Sequence, residues 1–182
     1  MAMARRRTIV LAAGVAAVAA AFGVFAVDRG GAPSGTSTAP TAWVLPALHG
    51  DGRVRLADFR GRPTVLSFFA SWCTACDFEL AGFADVSAEL KGRVDFVGVN
   101  ALETGDRDYM VRRHNIAWWP LAGDVGGANG SGLHDALGGG SSMPITAFYD
   151  ADGRLLRVDR TALPEGALEQ ELAQLYGITG IG

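Results

Sequence analysis

The only two cysteines of this 182-residue chain stand in the run Trp72-Cys73-Thr74-Ala75-Cys76. They directly follow an apolar stretch, Thr64-Val-Leu-Ser-Phe-Phe-Ala70, that reads as a buried strand. Two thiols at this spacing, where a strand hands over to a helix, can close a small disulfide ring and reopen it. Cys73 falls where the first turn of that helix should begin. Unpaired backbone N–H groups and the positive helix end favour a thiolate there. The thiolate is the form that attacks a disulfide, so Cys73 is the expected nucleophile. Cys76, one turn on with its sulfur facing the protein, is expected to resolve the mixed disulfide.

Blander uses of the pair stand beside this one. A structural disulfide would serve poorly, because so tight a ring constrains little of the unfolded chain. A zinc half-site would need further ligands, and His49, His114 and His134 are scattered with no paired spacing. A membrane-tethered copper-binding module would combine the two cysteines with the distant His134. The sequence assigns no other metal site.

The elements that must position the pair begin at Ala42. Trp43–Leu48 and Arg53–Leu56 flank His49-Gly50-Asp51-Gly52 and predict a β-hairpin with a glycine turn. After the buried strand Thr64–Ala70, a helix is expected from about Cys73 to Leu90. Leu80, Phe83, Val86 and Leu90 recur at helical spacing, and Gly92 ends it. Arg93–Val99 is the next strand, Asp106–His114 a second helix, with Asn115 suited to the left-handed position after it and Pro120 barring continuation. Residues 122–142 are glycine-rich and give little beyond a short helix at Leu133–Leu137. Met143-Pro144 opens a strand, Ile145–Tyr149, which turns at Asp150–Gly153 and pairs back through Arg154–Asp159. Pro164–Tyr176 is a closing amphipathic helix. Alternating strands and helices ending in a hairpin and helix describe an α/β sheet covered on both faces.

Composition limits partners. The formal net charge is −3, and residues 43–182 hold 12 basic and 18 acidic side chains, which opposes binding to nucleic acid or anionic lipid by charge alone. Arg5-Arg6-Arg7 precedes 20 residues, Thr8 to Val27, without a charge. As a helix that run would be ~30 Å long, enough to span a bilayer. The basic cluster should stay in the cytoplasm, placing everything after Val27 outside. Val24-Phe25-Ala26 would also serve as a signal cleavage site. Residues 1–27 are therefore expected to be a membrane anchor or signal segment. Asp28–Thr41, rich in Gly, Pro, Ser and Thr, is expected to be a flexible linker, and 42–182 the folded domain. Outside the cytoplasm a lone cysteine pair is exposed to oxidation and needs an electron partner.

Several motifs carry a resemblance. They are Leu56-x-x-Phe59-x-Gly61-x-Pro63, Phe68-Phe69-Ala70-Ser71-Trp72-Cys73, Glu79 after Cys76, and Met143-Pro144-Ile145-Thr146-Ala147-Phe148-Tyr149-Asp150-x-x-Gly153. Over roughly residues 43–178 the chain resembles the thioredoxin superfamily, in particular the membrane-anchored TlpA/ResA-like thiol–disulfide oxidoreductases. The resemblance implies a thioredoxin-like α/β fold, with a central mixed sheet, helices on both faces and an N-terminal β-hairpin. It implies that the chain exchanges disulfides with client proteins, more as reductant than oxidant, in cytochrome c maturation or thiol repair. A membrane protein would supply the electrons; no bound cofactor is implied. Pro144 should then be cis, holding the Met143 backbone beside the cysteines for an extended client chain, with Trp72 offering an apolar contact. Glu79 would be the buried acid that relays the Cys76 proton. Read from its position alone, Glu79 is either a partly desolvated carboxylate of raised pKa or an ordinary acidic residue in a helix's first turns. Thioredoxin keeps a buried acid six residues before its first cysteine, and here that position is Ser67. Related peroxidases place a threonine three residues before the reactive cysteine, where this chain has Ala70. Thr74-Ala75 departs from the family's frequent proline-containing pair, so redox potential and direction are not legible.

Overall fold

The computed structural model describes residues 37–124 and 132–181. The apolar run Thr8–Val27 and most of the expected linker lie outside these residues. Among the described residues, no helix is long and apolar enough to cross a membrane.

The domain opens with a hairpin, β1 (Val44–Pro46) and β2 (Arg53–Arg55), followed by a 3₁₀ turn at Leu56–Phe59. Ser37 bridges Val44 through both of its backbone groups, so pairing reaches back into the stretch expected to be a linker. A five-stranded sheet follows, made of β3 (Thr64–Phe69), β4 (Asp95–Ala101), β5 (Leu121–Asp124), β6 (Ile145–Tyr149) and β7 (Leu155–Asp159). Its strand order is β5-β4-β3-β6-β7. β3–β4 and β4–β5 are parallel, while β3–β6 and β6–β7 are antiparallel. The helices are α1 (Thr74–Glu89), α2 (Tyr109–Arg113), α3 (Leu133–Ala136) and α4 (Glu165–Tyr176). This is the thioredoxin-like fold with its added N-terminal hairpin.

Period-2 alternation sorts the central strand between two cores. Val65 and Phe69 join Phe83, Leu80 and Phe96 under α1 and α4, in the cluster that also holds Cys73 and Cys76. Leu66 and Phe68 face the other way, with Trp43, Leu45 and Leu133. All six residues of β3 are buried, as a strand covered on both faces requires.

Two expectations needed correction. The helix expected over Asp106–His114 is only the five residues of α2. Asp106 Oδ1 accepts the Asp108 N–H at 3.0 Å, so its side chain makes a local turn where a helix would have continued. Asn115 does adopt the left-handed conformation. Residues 121–124 form β5, a strand the sequence did not announce. Trp118 and Trp119 part company: Trp119 is buried and stacks near Phe96, whereas Trp118 faces out beneath Lys91.

α1 and α4 meet at Gly82. A Cβ there would stand 2.8 Å from Glu165 Cβ, 3.1 Å from its Cα and 3.2 Å from its N. The clash includes backbone atoms, so α4 would have to move. Gly82→Ala is therefore expected to lower stability by about 1–2 kcal/mol, overpacking outweighing the ~1 kcal/mol helix-propensity gain. Denaturant unfolding checks it, and an unchanged or raised midpoint would contradict the packing.

Candidate functional site

The cysteines sit at the seam between β3 and α1. Cys73 is the N-cap of α1 in extended conformation (φ −85°, ψ 96°), and its Sγ accepts the Cys76 N–H at 3.0 Å. The Cys73 sulfur thus stands at the helix tip, and a backbone donor points at it. The two sulfurs form a disulfide, with S–S 2.06 Å. Cys73 retains 4 % of its surface and Cys76 none, so Cys73 is the more approachable.

The loop before Cys73 is held from the end of β4. The Glu103 carboxylate accepts from Ser71 N–H at 2.8 Å, from the Ser71 hydroxyl and from Asn100 Nδ2 at 2.8 Å. It also accepts from Thr104 N–H at 3.0 Å and Gly105 N–H at 2.7 Å. Burial works to raise its pKa, but the donors prevail and hold it below the usual carboxylate range. Trp72 is half exposed, with its indole N–H on the Leu102 carbonyl at 2.8 Å. It is not core, and its ring lies beside the cysteine loop as an open apolar face. On the other flank Asp77 meets Arg113 and, at 2.7 Å, His114 Nε2. Its carboxyl pKa is lowered chiefly by the Arg113 hydrogen bond. Arg112 and Arg113 are exposed, and each has a carboxylate partner, Asp106 and Asp77 respectively.

Glu79 is fully buried in α1, one turn past Cys76. It accepts from Ser67 Oγ at 3.2 Å, Thr146 Oγ1 at 3.1 Å and Leu163 N–H at 3.2 Å. Burial drives its pKa up to about 7 against these three donors, and the nearby charge of Asp159 pushes the same way. Ser67, standing where thioredoxin keeps its acid, reaches the carboxylate from the facing strand.

Met143 is half buried and packs against the cluster that contains both cysteines, and the Met143–Pro144 bond is cis, as expected. The histidines do not gather. His49 lies against Asp108, His114 against Asp77, and His134 stands edge-on to Phe68 on the opposite sheet face from Cys76. Among the described residues, no group of three or more His, Cys, Asp or Glu side chains is placed to hold a metal ion. The cysteine–His134 combination of the copper reading is not assembled.

Residues 36–157, most of the chain, fit the model of the AhpC/TSA family. The chain belongs to the AhpC/TSA family. One relative is the thiol:disulfide interchange protein DsbE of Pseudomonas fluorescens biotype C. It is 29 % identical over 139 residues, which span 74 % of this chain and 72 % of that protein. Two solved structures show the same fold. Mycobacterium tuberculosis (MTB) DsbF is 24 % identical with a TM-score of 0.62, covering 78 % of this chain and 99 % of that one. A secreted M. tuberculosis disulfide oxidoreductase homologous to E. coli DsbE is 23 % identical with a TM-score of 0.60, covering 74 % and 97 %. Within the AhpC/TSA family the chain is thus similar to a thiol:disulfide interchange protein of the DsbE kind, and it carries the Cys-x-x-Cys pair Cys73 and Cys76.

Proposed function

We propose that this oxidoreductase works outside the cytoplasm as a reductant of client proteins, with Cys73 as nucleophile, Cys76 as resolving thiol and Glu79 as proton acceptor. The observation that carries the reading is the Cys76 N–H aimed at Cys73 Sγ from the first turn of α1, a donor that stabilises a thiolate once the bridge opens. In the reduced protein the Cys73 thiolate attacks a client disulfide and expels one client sulfur as thiolate. The buried Glu79 carboxylate takes the proton of Cys76. The Cys76 thiolate then attacks Cys73 Sγ, releasing the second client sulfur. Two electrons pass from the pair to the client, and the Cys73–Cys76 bond remains to be reduced again by a membrane electron-donor protein.

Met143 and Pro144 form the edge against which an extended client segment pairs, and Trp72 supplies an apolar contact beside it. Residues 1–27 anchor the chain or direct its export, 28–41 tether it, and 42–182 carry the chemistry. The TlpA/ResA-like motifs support cytochrome c maturation as the setting, and the relationship to a thiol:disulfide interchange protein supports the extracytoplasmic location.

The direction is tested by trapping thiols in living cells with an alkylating mass tag. A reductant is expected to hold Cys73 and Cys76 mostly reduced and to turn oxidised when electron supply across the membrane is cut. A pair found fully bridged in unperturbed cells would make the protein an oxidant or an inert disulfide.

A further inference from the structure

The glycine-rich stretch before Met143 is organised around one buried side chain. His134 is fully buried in α3, and its own N–H donates to Asp124 Oδ2 at 2.7 Å. Its Nε2 lies 2.8 Å from the Ser142 carbonyl oxygen. A carbonyl only accepts, so Nε2 carries the hydrogen and Nδ1 is the bare nitrogen. Nδ1 is buried and meets no donor. The turn is wrapped closely on the ring: Gly139 N–H donates to the His134 carbonyl and Ser142 N–H to the Gly139 carbonyl, both at 2.9 Å. A Cβ at residue 139 would stand 2.3 Å from His134 Cε1 and 2.5 Å from Nδ1, so only glycine fits there. Filling the cavity would have needed only an apolar side chain. An imidazole donating one hydrogen bond, with its second nitrogen left bare, points to a use for that bond.

The Ser142 carbonyl and the Met143 N–H belong to one peptide plane and point in opposite directions across it. Holding the carbonyl down on His134 therefore turns the Met143 N–H away from the ring. Among the described residues that N–H has no acceptor. We propose that His134 is a positioning residue: its Nε2–H fixes the Ser142–Met143 peptide plane and aims the Met143 N–H at the backbone carbonyl of a bound client. This rests on the reading that clients pair with the Met143 backbone.

The test compares two disulfide substrates on the full chain. One is a disulfide-bridged peptide with an extended backbone; the other is hydroxyethyl disulfide, which has no peptide group. His134→Leu is expected to lower kcat/KM for the peptide about 10-fold, mainly through KM, the scale of one net hydrogen bond. It should leave turnover of hydroxyethyl disulfide unchanged. His134→Gln, which restores a donor, should recover most of the loss. Equal losses on both substrates, or none on either, would overturn the proposal. If the wild-type protein shows no preference for the peptide, the Met143 pairing itself fails. If the preference exists and survives His134→Leu intact, His134 alone is ruled out. Should His134→Leu not fold, imidazole ¹⁵N shifts of the wild type decide: a protected Nε2–H supports the proposal, and an Nδ1–H tautomer sinks it.

Discussion

Cys73→Ser is expected to silence disulfide exchange by ~10⁴-fold or more, the scale on which losing a nucleophile stops a covalent mechanism. A serine hydroxyl at the α1 N-cap still accepts the Cys76 N–H, so the fold should survive while the attacking thiolate is gone. Cys76→Ser should behave differently. The N-cap sulfur remains and the first attack proceeds, but nothing resolves the adduct, so covalent complexes with clients accumulate. Reduction of a disulfide-bearing protein and non-reducing electrophoresis read the two outcomes. The asymmetry rests on Cys73 being the N-cap and the less enclosed of the two. If Cys73→Ser were the variant that accumulates adducts, the roles would be reversed.

Glu79→Gln is expected to change both stability and chemistry with pH. Burial raises the folded-state pKa from the ordinary 4.5 to about 7. Between those values the folded chain holds a proton that the unfolded chain releases. Stability from this group is therefore fully present below pH 4.5 and falls as pH rises towards 7, by about 3 kcal/mol in all. Glutamine never ionises. Its carbonyl still accepts from Thr146 and Leu163, and the Ser67 hydroxyl can turn to accept from its amide. The variant should match the wild type near pH 4 and exceed it by about 3 kcal/mol at pH 8, measured by denaturant unfolding of the oxidised protein. Exchange should slow, and the pH profile of Cys76 alkylation should move. Parallel stability curves for the two proteins would show that Glu79 is not buried as a charge, and an unmoved alkylation profile would remove it from proton transfer.

Much of this site was written in local spacing. The cysteines, the strand before them and the helix after them are contiguous. Position alone leaves Glu79 either a desolvated carboxylate or an ordinary first-turn acid; the family resemblance implies its role and draws attention to Ser67. What escaped was built by contacts distant along the chain. Glu103 is a lone acid after β4 with no neighbouring motif, and its importance comes from Ser71, 32 residues away. Two of the three Glu79 donors, Thr146 and Leu163, arrive from 67 and 84 residues further on. β5 reads Leu-Ala-Gly-Asp, with no alternation and a glycine in the middle. It is a strand because β4 offers it a ladder beside Gly98. Trp72 and Trp118 are exposed because neighbours engage only part of each, an indole N–H in one case and a ring face in the other. Hydrophobicity alone could not separate them from buried Trp119.

The short N-terminal hairpin has a consequence for how such molecules share a crowded compartment. Leu48 N–H donates to the Leu121 carbonyl at 2.8 Å, and Ala47 bridges Ala122, so the hairpin covers the outer rim of β5. The opposite rim, β7, slips register against Phe148/Tyr149 of β6 and carries Arg157 and Asp159. Neither border of the sheet presents a flat, uncharged ribbon to a second molecule, which disfavours strand-to-strand aggregation.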